Sequence, residues 1–169
     1  METYHAILTR RSIRKFTDTP IEANILQRLL KAGMYAPSAR NTQSWHFILI
    51  TEREILDKIP DAHPYANMCL EANAVIVVCG DLDIEPSPEY NAINCSAATE
   101  NILLAAHELG IGTVWLGVYP KPDRVEGATK LLGLPSKIVP ISMIALGYPD
   151  EVKETPDRFL KERIHYNKW

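Results

Sequence analysis

The chain has 169 residues, 46% of them hydrophobic and 23% charged, with a net charge of −3. That supplies a core for one domain, 1–169, and leaves no basic excess for nucleic acid. No apolar run is long enough to span a bilayer and the N-terminus has no signal-peptide stretch, so a cytoplasmic protein without a membrane partner is expected.

Residues 3–9 place Tyr4, Ile7 and Leu8 on one helical face. Arg10-Arg11-Ser12-Ile13-Arg14 follows, with three guanidinium groups and a hydroxyl in five residues. Arginine's fork of donors matches phosphate oxygens, and Ile13 can pin the segment to a core. The alternative is a solvated basic turn. Thr19-Pro20-Ile21-Glu22 has the form of a capping box with proline at the first helical position. Ile25, Leu26, Leu29 and Leu30 continue it as an apolar stripe, and Gly33 is the expected stop.

The stretch from Tyr35 to Trp45 is a loop of small residues and amides entered through Pro37. Ser38, Arg40, Asn41, Thr42, Gln43 and Ser44 give it many donors and acceptors. Such groups suit the edge of a heteroaromatic ring, or else a tight turn with no ligand. His46–Ile50 reads as a strand. Thr51 to Glu54 forms a second capping box, with Pro60 ending its helix. A helical turn is expected within 66–71, and Ala74–Val78 is the clearest strand. Residues 81–89, acidic and proline-containing, read as the most exposed loop.

Asn91–Leu109 is the longest helix, with small residues that allow another helix to approach, and Gly110 stops it. A strand over Ile111–Val118 breaks at Gly117. The glycines there do not form a dinucleotide fingerprint. A helix over Asp123–Leu132 closes at Gly133. The strand Ile138–Leu146 carries Pro140, so it should start late or run along an edge. The last twenty residues are charged yet hold Phe159, Leu160, Ile164, Tyr166 and Trp169. These should bury on a second copy of the chain or on the chain's own domain.

About four strands alternating with about five helices make an α+β or α/β layered domain. The three cysteines form no Cys-x-x-Cys pair and read as buried hydrophobes, and the five histidines form no helical pair, so no metal is expected. No serine elbow, carboxylate pair or P-loop occurs. What remains is an inventory for a phosphorylated, polar-edged cofactor that carries the reaction itself.

Four stretches, in order along the chain, resemble the nitroreductase family of FMN enzymes. They are Arg10-Arg-Ser-Ile-Arg14-Lys-Phe, Ala36-Pro-Ser-Ala-Arg-Asn-x-Gln-Ser-Trp45, Leu109-Gly-Ile-Gly-x-x-Trp-Leu-Gly117 and Ile164-His-Tyr-Asn-Lys-Trp169. The resemblance implies an α+β sandwich with a mostly antiparallel central sheet flanked by helices. It implies a homodimer with FMN at the subunit interface and residues 150–169 packed on the partner. It implies two-step transfer, from NADH or NADPH to FMN and then to a nitroaromatic, quinone or similar small-molecule acceptor. A flavin carrier or sensor without turnover is the alternative.

By position, Arg10, Arg11 and Ser12 would take the phosphate and ribityl chain, and Arg14 the ring edge at N1 and O2, where a cation stabilises developing negative charge. Pro37 and Ser38 would come from the partner, and Asn41 and Gln43 would also reach the ring. Trp115, Leu116 and Gly117 would line it with backbone groups. Arg158 would supply the tail's phosphate contact, with Lys161 and Arg163 as rivals. Many members have proline before the tryptophan, where this chain has Ser44.

Overall fold

A computed structural model describes Met1–Trp169. Its centre is a four-stranded antiparallel sheet of β1 (Trp45–Ile50), β2 (Ala74–Asp81), β3 (Gly112–Gly117) and β4 (Ile138–Gly147). The spatial order is β1-β2-β4-β3. The apolar run of β2 is buried on both faces, as a sheet between two helical layers requires. Val75, Val77 and Cys79 face one layer, and Ala74, Ile76 and Val78 face the other. The first layer holds α3 (Arg53–Leu56), α4 (Ile59–Ala62) and α6 (Pro122–Leu132); the second holds α2 (Ala23–Met34) and α5 (Pro88–Glu108). A short α1 (Thr3–Thr9) leads in, with Tyr4, Ile7 and Leu8 exposed and Ala6 buried.

Several local expectations are corrected. The first capping box does not form: Glu22 is the N-cap of α2 and makes no side-chain cap bond. The chain before it is already held elsewhere, since Phe16 bridges Pro149 and the Thr17 N–H donates to Tyr148 O. Gly33 does not stop α2. A Cβ there would meet Ile102 Cδ1 and Phe47 Cε1 at 2.9 Å, so its role is the close approach of α2 to its neighbours. The second box also fails, and Pro60 begins α4 instead of ending a helix, because the first turn needs no proline N–H.

The strand with Pro140 is interior, not an edge. Pro140 lies beyond the last β3–β4 pair, Gly117 with Ser142, and beside an irregularity in the β2–β4 register. Its missing N–H therefore costs no bond to β3. Residues 81–89 are not the most exposed loop. Asp81 belongs to β2, Ser87 caps α5 by accepting from the Tyr90 N–H at 3.1 Å, and Glu85 is 1% exposed. The three cysteines are free and buried, and burial pushes their thiols up to about 12, which leaves them unreactive hydrophobes. No helix is long and apolar enough to cross a membrane. Residues 152–169 leave the body without strand pairing and stay exposed, with one 3-10 turn at Lys161–Arg163.

Candidate functional site

The arginine segment runs beside β3, the outer strand on its side of the sheet. Ser12 and Thr113 form a parallel bridge, and the Ile13 N–H donates to Thr113 O at 2.8 Å. Ile13 packs on the core above Gly112, where a Cβ would lie 2.8 Å from Ile13 Cγ2. Gly112→Ala is therefore expected to push the segment off β3, at about 1–3 kcal/mol of overpacking. Denaturant unfolding measures the loss, and Ile13→Ala in the same chain should recover part of it. Equal midpoints for wild type and Gly112→Ala would show that the contact does not hold the segment.

The four steps from Arg10 to Arg14 span roughly 13 Å of extended chain. At the far end, Arg10 and Arg11 line a cavity of about 580 Å³ with Leu8, Arg158 and Phe159. Lys161 and Arg163 are not in it. Arg11 is largely spent on the backbone, since its Nε donates to Glu154 O at 2.9 Å and its Nη1 to Leu8 O at 3.0 Å, which ties α1 to the tail. Arg10 Nε lies 3.4 Å from Glu100 Oε1. Even so, Arg10 Nε and Arg11 Nη2 are buried with no hydrogen-bond acceptor. Unmet donors of this kind cost about 1–3 kcal/mol each. Three guanidinium groups, from Arg10, Arg11 and Arg158, face one carboxylate, Asp157, around this cavity.

At the near end, Arg14, Trp115, Leu116 and Gly117 line one cavity of about 510 Å³. Antiparallel pairing alternates the direction of backbone groups. Thr113 O bonds Ile13 and Gly117 O bonds His63 and Arg124, so the odd residues of β3 face away from β4. The N–H groups of Trp115 and Gly117 therefore point out along that edge. His63, Tyr65, Asn67 and Arg124 complete the wall. Nothing in the sequence marked these four, because a loop after α4 and the first turn of α6 meet β3 only in the fold.

The amide loop lies at the opposite edge, leading into β1, about 14 Å away across three strand spacings. Pro37, Ser38, Asn41 and Gln43 of the same chain line neither of these two cavities. The loop is tightly set. Arg40, Asn41 and Gln43 have φ of 53°, 55° and 49°, a region that costs non-glycine residues about 1–3 kcal/mol each. The Gln43 N–H donates to Ser38 Oγ at 3.0 Å, and Asn94 Oδ1 accepts from the Ala39 N–H at 2.9 Å. Ser44 is buried and donates to Asn91 Oδ1 at 2.7 Å, a bond that proline at this position would forgo.

Arg40 pairs with the buried Glu85 and lies over the Tyr90 ring. The Arg40 guanidinium, helped by the Ser87 N–H, holds the Glu85 carboxyl below its ordinary range. A carboxyl depressed by folding contributes stability above the unfolded pKa and loses it as pH falls through the folded one. Hydrogen exchange of the Ala39–Gln43 amides should therefore speed up on acidification below the ordinary glutamate range, beyond the intrinsic pH effect. Glu85→Gln should reproduce the loosening at neutral pH. Amides as protected in the variant as in wild type would exclude the pair as the loop's lock.

Known proteins are similar to this chain in sequence and in fold. The sequence profile described as "Nitroreductase family" matches residues 7–63 and 63–148. A protein of Methanothermobacter thermautotrophicus named "Putative NADH dehydrogenase/NAD(P)H nitroreductase" is 47% identical over 169 residues, covering 100% of this chain and 88% of its own. The crystal structure of a protein of the same name from Parabacteroides distasonis superposes with a TM-score of 0.94 at 41% identity, covering 99% of this chain and 98% of that one. The structure of "a putative nitroreductase in complex with fmn" from Desulfovibrio desulfuricans gives a TM-score of 0.86 at 29% identity, with coverage of 100% and 98%. With the profile spanning most of the chain and close relatives matching nearly end to end, the protein belongs to the nitroreductase family.

Proposed function

We propose that the protein is an FMN-dependent oxidoreductase that uses NADH or NADPH and passes electrons to nitroaromatic, quinone or similar acceptors, working as a homodimer. The observation that carries this is the edge of β3, with Arg10, Arg11 and Arg158 around one cavity at one end and outward N–H groups beside Arg14 at the other. That separation, roughly 13 Å, suits a ligand with a phosphate at one end and a ring at the other. The Desulfovibrio relative that carries FMN supports the identity of the ligand. FMN, when bound, supplies a ring that accepts a hydride from NAD(P)H and returns electrons to an acceptor.

The chain's own residues bind and orient. Arg10, Ser12 and Arg158 hold the phosphate and its chain, and Arg11 braces that end through backbone carbonyls. Arg14 sets a positive charge at the ring's electron-rich edge in a cavity with no carboxylate. Trp115, Leu116 and Gly117 form the wall behind the ring. Pro37, Ser38, Asn41 and Gln43 reach it from a second copy, because their own copy places them at the far edge of the sheet. A single cavity in front of β3 has donor and acceptor occupy it in turn, which favours a two-step, ping-pong mechanism.

The test is a visible absorbance spectrum of the purified protein, followed by anaerobic NADH and then NADPH. Flavin bands that bleach, and return when an acceptor is added, are expected. Bands that persist with both donors would make the protein a flavin carrier or sensor. A colourless protein after incubation with FMN and desalting would end the flavin reading.

A further inference from the structure

The cavity in front of Trp115 and Gly117 holds two guanidinium groups, from Arg14 and Arg124, and no Asp or Glu. FMN accounts for Arg14 and leaves Arg124 over. Arg124 sits in the first turn of α6, the end of a helix where a cation is unfavourable. Helix stability therefore does not explain it. Its guanidinium is positioned from two sides: Nη1 donates to Gly117 O at 2.8 Å, and the group lies 5.2 Å from the Tyr65 ring centroid. The carbonyl does not depend on this bond. The Tyr65 N–H donates to His63 Nδ1 at 3.2 Å, so the proton is on Nε2, which donates to the same oxygen at 3.0 Å. Arg124 Nε is buried with no acceptor. A charge oriented by a carbonyl and an aromatic face is left without a counter-ion in a substrate-sized cavity.

A guanidinium held in this way selects an oxyanion. Resting on the FMN reading above, we propose that Arg124 binds the oxyanion of the molecule that meets the ring, either the carboxylate of an acceptor or a phosphate of NAD(P)H. The site then prefers anionic electron carriers over neutral ones of the same shape. The two sources act in different half-reactions, which separates them.

Bleaching of the wild-type flavin by NADH and by NADPH is read first. Its absence with both overturns the electron-transfer reading, and this proposal with it; its presence with either leaves the next measurements, made with that donor, to bear on Arg124 alone. Arg124→Gln keeps a donor near Gly117 and removes the charge, and Arg124→Lys restores charge without the stack. If an acceptor supplies the anion, benzoate titrated calorimetrically into the flavin-loaded Arg124→Gln protein binds roughly tenfold more weakly than to wild type, about the loss of one charge-assisted bond. The kcat/KM ratio for 4-nitrobenzoate over 4-nitrobenzyl alcohol falls by a similar factor, through KM, and Arg124→Lys recovers part of both. If NAD(P)H supplies it, those two readings hold, and the donor concentration that gives the half-maximal rate of bleaching rises roughly tenfold instead. Wild-type values for Arg124→Gln in all three measurements overturn the proposal.

Discussion

Replacing Arg14 with alanine is expected to raise the FMN dissociation constant roughly 10- to 150-fold. That corresponds to about 1.5–3 kcal/mol, the range for a hydrogen bond to a charged group. Arg14 is exposed, and its side chain lines a cavity that offers it no carboxylate. The segment's backbone is anchored independently, because the Arg14 N–H donates to Glu151 Oε1 at 2.6 Å and Ile13 packs on the core. The substitution therefore removes a ligand without releasing the segment, and the denaturant midpoint should move by no more than about 0.5 kcal/mol, as for ordinary surface changes. Fluorescence titration of FMN into the apoprotein reads the affinity, with Arg14→Lys falling between. An unchanged dissociation constant would remove Arg14 from the site.

Deleting residues 155–169 should cost both the dimer and most of the flavin affinity. Phe159 is 65% exposed, Tyr166 81%, and Trp169 wholly so, with Leu160 and Ile164 partly exposed. Burying each of these side chains is worth about 1.5–3 kcal/mol before the cost of ordering the tail. The chain's own body covers Leu160 and Ile164 in part and leaves the aromatic side chains largely open, so a second copy is the proposed cover. The flavin loss has a separate cause, because the truncation removes Arg158 from the cavity it shares with Arg10 and Arg11. Light scattering and FMN titration separate the two effects. Arg158→Ala in the full chain should weaken FMN by about the cost of one charge-assisted hydrogen bond while the dimer persists. A truncated protein that stays dimeric and yellow would show that the tail is neither clamp nor ligand.

Legible in the sequence alone was the material of each element and of the arginine segment. The apolar run of β2, the small residues of α5 and the stops at Gly110 and Gly133 were legible because periodicity and backbone conformation are local. So was the alternation of Arg10, Ser12 and Arg14, with Ile13 as their anchor. The first capping box misled, because Phe16 and Thr17 were already bound to residues 149 and 148, and tertiary contacts outweigh a cap worth about 1 kcal/mol. Long-range packing places Pro140 in an interior strand, makes Glu85 the buried partner of Arg40, and brings His63 and Arg124 together on Gly117. It also puts the amide loop and the arginine segment at opposite edges of the sheet. Residues brought together across many positions depend on strand order, and strand order leaves no local periodicity to read.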